Sequence, residues 1–213
     1  MRVLGGRPSY LLLTLLLLSS PWGCFYRVTL EPPKSLKIDP KEYQPMALLP
    51  FSAPPSSQDA GSELYPFIRD SLQKKGYTLV KEEEVLEALE EMKLNPPLLL
   101  SDQDSRQKVG ERLKAGLLMI GTLPEYNVQK SHLGSKSVET FDGESYTSLH
   151  LPTYFRGGSQ IRLILRLFES RKGDLVWMSE GTIKASSDSP GTYSQKLVDR
   201  LLESLPPVSP PKK

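Results

Sequence analysis

Few residues of this 213-residue chain are placed to do chemistry. Cys24 is its only cysteine, which excludes an internal disulfide and a cysteine-cluster metal site. That leaves the Cys24 thiol as a nucleophile open to acylation. His132 and His150 are the only histidines, and Asp142 and Glu144 lie between them. Imidazole and carboxylate can hold zinc, but this spacing matches no ligand motif. They read as solvated loop residues, not a metal site. Serines are plentiful, yet no G-x-S-x-G elbow exists, and no G-x-x-x-x-G-K-[ST] loop. Arg156-Gly157-Gly158-Ser159 could cradle an anion on its backbone N–H groups, but reads as a loop entering a strand. No base, nucleophile and orienting group can be picked out together, so the chain reads as a non-enzyme with no cofactor. Two arginines remain. Arg162 and Arg166 share one strand face with Ile164 and Phe168, because side chains alternate with period two. A face mixing cations with apolar groups suits a subunit interface, where arginine is enriched. They are the candidate partner-binding residues.

The elements that must position these groups begin with a leader. Residues 1–23 carry Arg2 and Arg7, then an apolar stretch from Tyr10 to Leu18, then a short polar end. This is the layout of a secretory signal peptide, and the apolar stretch is too short to span a bilayer. Gly23 followed by Cys24 matches the end of a bacterial lipoprotein signal. That match implies acylation of Cys24, which becomes the mature N-terminus. Each buried CH₂ contributes about 0.8 kcal/mol, so several acyl chains anchor durably where one does not. Phe25 stands where an inner-membrane retention signal has Asp, which implies sorting to the outer membrane, facing the periplasm. The leader also holds the excess charge: 27 basic and 25 acidic residues become 25 of each without it. A neutral mature chain argues against nucleic acid as a partner.

Residues 24–44 are proline-rich and read as a lipidated N-terminus on an extended tether. Met46–Phe51 reads as a buried strand. Leu64, Phe67, Ile68 and Leu72 form one face of a helix over residues 61–75, which Gly76 ends. Residues 77–80 read as a short strand. A helix over 81–92 opens with Glu82, Glu83 and Glu84, suiting the macrodipole, and its acidic face reads as solvated. Asn95-Pro96-Pro97 breaks it, and Asp102 or Asp104 caps the next helix. Leu117–Leu123 is a strand apolar on both faces. Residues 124–158 are a polar insert. Gln160–Phe168 and Leu175–Ala185 form a hairpin around Gly173. A helix follows over 192–204, with a disordered tail over 206–213. The order is β-α-β-α-α-β-β-β-α. This is an α/β (α+β) domain with one mixed sheet over residues 45–205.

Four stretches carry a family likeness: Met46–Phe51, the Lys75-Gly76-Tyr77 helix end, Leu113–Thr122 and Lys172–Trp177. Their order and spacing resemble the bacterial lipoprotein domain of the curli secretion channel (CsgG), the TolB N-terminal domain and related small outer-membrane lipoproteins. That resemblance implies no catalytic residues. It implies a lipid-anchored envelope scaffold or assembly partner, working as a homo-oligomer or on a protein partner. The alternatives it implies are a subunit of a secretion or export channel, or a periplasmic activator of an envelope enzyme. The channel version has two long membrane-inserting hairpins, whereas this chain has one long insert, bearing Lys136 and Glu139.

Overall fold

The computed structural model describes residues 26–34, 36–53, 58–129, 132–141, 146–155, 157–186 and 190–208. The leader, Cys24 and residues 209–213 lie outside the described residues.

The domain is α+β. Its strands are β1 (Tyr26–Leu30), β2 (Met46–Leu48), β3 (Leu117–Gln129), β4 (His132–Phe141), β5 (Tyr146–Phe155), β6 (Gly158–Glu169) and β7 (Asp174–Ala185). Its helices are α1 (Gln58–Lys74), α2 (Glu82–Glu91), α3 (Pro96–Ser101), α4 (Gln103–Leu113) and α5 (Pro190–Leu202). A mixed five-stranded sheet has the order β1-β7-β6-β3-β2, with only the β2–β3 pair parallel. β4 and β5 form a separate antiparallel pair. Among the described residues no helix is long and apolar enough to cross a membrane.

Two cores flank the sheet. α1 places Leu64, Ile68 and Leu72 on one face, and α5 adds Tyr193, Leu197, Val198 and Leu201. They cover Leu117, Met119, Ile161, Leu163, Leu165 and Trp177. On the other face, Val85, Leu89, Val109 and Leu113 cover Leu49, Leu118, Ile120 and Phe168. Both cores close within residues 46–205.

The helix ends follow local rules. After α1, the Gly76 N–H donates to Gln73 O at 2.9 Å and the Tyr77 N–H to Leu72 O at 3.1 Å, with Gly76 at φ 88°. This is a Schellman stop, and the left-handed position takes glycine without a Cβ penalty. Asn95 caps α3 through its side chain, which accepts from the Leu98 N–H at 2.9 Å, and Pro96 opens the helix. The proline pair expected only to break a helix also starts one, since an N1 proline gives up an N–H that has no partner there. Residues 77–80 contribute a bridge between Leu79 and Met46, short of a full strand.

The tether expectation for residues 24–44 is corrected. Tyr26–Leu30 is the edge strand of the sheet, paired antiparallel with β7. The chain then follows β7 further, the N–H groups of Glu31, Lys34 and Lys37 donating to Glu180, Met178 and Val176 carbonyls. Unpaired backbone groups along β7 would be costly, and this segment satisfies them. Pro32 and Pro33 interrupt the ladder without ending it, because proline lacks the donor. The tail expectation is corrected for residues 206–208. Val208 donates its N–H to Lys75 O at 2.9 Å, and Pro206 O accepts from the Tyr77 hydroxyl at 2.8 Å.

The insert expectation also changes. Residues 124–129 continue β3, and residues 132–155 supply the β4–β5 hairpin. Pairing from Glu125↔Arg162 to Gln129↔Gly158, and again from His132↔Phe155 to Phe141↔Tyr146, keeps one register. The hairpin therefore keeps the pairing offset of the β3–β6 ladder.

Candidate functional site

The helices cover one sheet face more completely than the other. Phe168 lies under α4, with the Arg106 guanidinium 4.5 Å from its ring centroid. Beyond it the face opens, and the two arginines singled out by the alternation stand there.

Arg166 is half-buried and donates to Thr122 Oγ1 at 2.9 Å. Burial pulls its pKa down from the usual guanidinium value. Arg162 is exposed and paired with Glu180 of β7, its Nε donating to Oε1 at 2.8 Å. The hydrogen bond to Glu180 raises the Arg162 pKa. Ile164, between them, is buried at 9% exposure. So Arg162 and Arg166 do share one open face, but both are engaged within their own subunit. Gln160 and Asn127 converge on Glu125, donating at 2.7 and 3.0 Å.

Across the same row from Gln160, the picture differs. Arg27 of β1 faces Lys184 of β7, and both are exposed. Neither has an ion-pair partner among the described residues. The tether expectation hid this pair. The signal was present in Tyr26, Val28 and Leu30 alternating with Arg27 and Thr29, which is strand periodicity. On the helix-covered side, Lys196 lies over the Tyr26 ring at 4.2 Å, and Tyr26 tilts against Tyr193 with centroids 5.8 Å apart.

The end row of this sheet is Tyr26, Ala185, Ser159 and Val128. The hairpin leaves the sheet at this end, through Gln129 and Gly158. The Ser159 hydroxyl is buried in the same row with no hydrogen-bond partner among the described residues.

The chain is similar in fold to two sets of solved structures. The PelC dodecamer of Paraburkholderia phytofirmans is 13% identical, with a TM-score of 0.50 over 85% of this chain and 97% of that one. A point variant of the same dodecamer, in a second crystal form, gives 0.51. Lipoprotein GNA1162 of Neisseria meningitidis is 14% identical, with a TM-score of 0.50 over 75% of this chain and 96% of that one. At these identities the likeness establishes a shared fold. No protein-family model and no curated protein matches the chain.

The histidines are not in a loop. They sit on β4 and β5, where His132 faces Phe155 and His150 faces Ser137. Five residues of strand separate the two rows, about 16 Å, too far to share one ion. No cluster of metal-ligating residues occurs among the described residues. Gly158 and Ser159 begin β6, as a loop-to-strand entry requires. Elsewhere, an apolar groove of about 270 Å³ lies between α1, α2 and β2, lined by Leu48, Phe51, Tyr65, Val85 and Leu86. Burial there pushes the Tyr65 phenol up to about 12.

Proposed function

We propose that this chain is a lipid-anchored protein of the bacterial envelope that works as a scaffold or assembly partner and performs no catalysis. The observation that carries the reading is the contiguity of its one cysteine with the sheet: Cys24 stands two residues before Tyr26, which is locked into β1. Acylation of that thiol couples the whole domain to a membrane. The outer membrane, with the domain facing the periplasm, is the location this reading assigns. A shared fold with a Neisseria lipoprotein and with a subunit of the PelC dodecamer supports anchoring and assembly. The resemblance to the domain of CsgG and TolB supports the same class.

A specific observation favours a second reading, a channel subunit. β4 and β5 have ten residues each, the length of a membrane-crossing strand. Lys136 and Glu139 within β4 weigh against it, since charges on a lipid-facing strand are costly.

Radiolabelled palmitate tests the anchor. The wild type takes up label and Cys24→Ala does not; an unlabelled wild type overturns the anchoring claim. Light scattering on detergent-extracted protein tests assembly, and a strictly monomeric mass with no captured partner overturns it. Ion conduction in planar bilayers selects the channel reading over the scaffold.

A further inference from the structure

We infer that the end of the sheet carrying Arg27 and Lys184 is a second membrane contact, built to engage the phosphates of anionic lipid headgroups. The inference rests on the anchoring of Cys24 and adds a surface to it.

The first support is reach. Consecutive Cα atoms are 3.80 Å apart, so Cys24 lies within about 7.6 Å of the Tyr26 Cα whatever path Phe25 takes. An acylated Cys24 leaves no slack for the domain to stand clear of the bilayer. The row beside it, Arg27 and Lys184, is held at the headgroups.

The second support is charge. Arg27 and Lys184 are direct cross-strand partners, and like charges facing each other across a ladder destabilise it. Farther along the same face, Arg162 has Glu180 and Arg166 has Thr122. Toward the anchor, Arg27 and Lys184 have no ion-pair partner among the described residues, where Arg162 has a carboxylate and Arg166 a hydroxyl. A phosphate between the two side chains relieves their repulsion, and arginine binds it with a planar fork of donors.

The third support is the flanking chemistry. Tyr26 is 46% exposed beside Lys196. An exposed tyrosine edged by cations matches the interfacial zone of a bilayer, where amphipathic rings and basic side chains collect.

The test removes the lipid so that anchoring cannot mask the contact. Both cores lie within residues 46–205, with β1 added at the edge, so residues 26–213 contain the complete domain. This fragment is mixed with vesicles of phosphatidylcholine alone, or of phosphatidylcholine with phosphatidylglycerol, at low and physiological ionic strength. The expected result is partition onto the anionic vesicles only, weakened by salt. Arg27→Gln with Lys184→Gln lowers that partition about tenfold or more, as loss of two interfacial cations should. The control is Arg171→Gln with Lys172→Gln, the same charge change at the β6–β7 turn, and it leaves partition unchanged. Arg27→Lys with Lys184→Arg keeps binding, which separates charge from folding. Equal loss in both glutamine pairs, or no preference for anionic vesicles, overturns the proposal. Palmitate labelling of the full chain is unaffected by either outcome, so failure here and failure of the anchor are distinguishable.

Discussion

Arg162 on β6 and Glu180 on β7 are ion-paired across the open sheet face, one register step off the direct partners Arg162↔Thr182 and Ile164↔Glu180. Arg162 is 48% exposed in its side chain, so water screens most of the attraction. Arg162→Ala should move the thermal midpoint by no more than about 2 °C. If this face docks a partner, the same variant lowers partner capture or assembled mass while the fold stays intact. Pairing calorimetry with light scattering reads both.

Lys114 ends α4 in the left-handed region at φ 50°, a position that favours glycine. The Ala115 N–H closes the turn on Gly110 O at 2.9 Å, so the strained conformation is held by the cap. Lys114→Gly should stabilise the domain by about 0.5–1 kcal/mol, read as a higher urea midpoint at unchanged slope.

Gly116 lies against the backbone of Tyr43, where an added Cβ would come within 2.3 Å of the carbonyl oxygen. Backbone cannot swing aside as a side chain can. Gly116→Ala should cost about 2 kcal/mol or more. Gly191, where an added Cβ meets nothing within 4 Å among the described residues, is the contrast. Gly191→Ala inside α5 should stabilise by up to about 1 kcal/mol.

Asp102 caps α4 by accepting from the Ser105 N–H at 3.0 Å and from the Ser105 hydroxyl. These bonds, the hydroxyl first, hold its carboxyl below the usual carboxylate value. The folded pKa is depressed, so the stabilisation is present above the unfolded value and is lost as pH falls through the folded one. Asp102→Asn keeps a cap without the charge. Its stability should fall below the wild type at neutral pH, and the gap should close below about pH 4. Denaturant melts across that range check the sign.

The buried residues described in the two cores lie between Met46 and Leu123 and between Ile161 and Leu205. Gln129 and Gly158 are register partners, so an Asn-Gly turn can replace residues 130–157. The shortened chain should melt within about 4 °C of the wild type. Loss of assembled mass or of conduction would then assign the hairpin to function, since stability is accounted for without it.

The two-face pattern of Ile161 to Phe168 and the helix face of Leu64, Ile68 and Leu72 were legible because burial imposes periods of 2 and 3.6. Gly76 was legible because glycine alone takes φ 88° cheaply. β1 was not, because Pro32 and Pro33 outweighed the alternation before them. Asn95-Pro96-Pro97 carried two messages, and composition shows only the break. The pairing of Arg162 with Glu180, and the facing of Arg27 with Lys184, depend on register between segments far apart in sequence. No local pattern contains that information. Arg27 and Lys184 were therefore hidden, while Arg162 and Arg166 stood out.

The contact of Val208 with Lys75 ties the chain after α5 back to the end of α1. α5 carries the chain back along the sheet, and Ser204 accepts from the Trp177 indole N–H at 3.2 Å. Trp177 is eight residues along β7 from Ala185, about 26 Å from the row of Tyr26. Tyr26, paired with Ala185, and Ser204, bonded to Trp177, thus stand toward opposite ends of β7. A dye on residue 203, read by resonance transfer against a dye in the bilayer, becomes a gauge of how upright the domain stands.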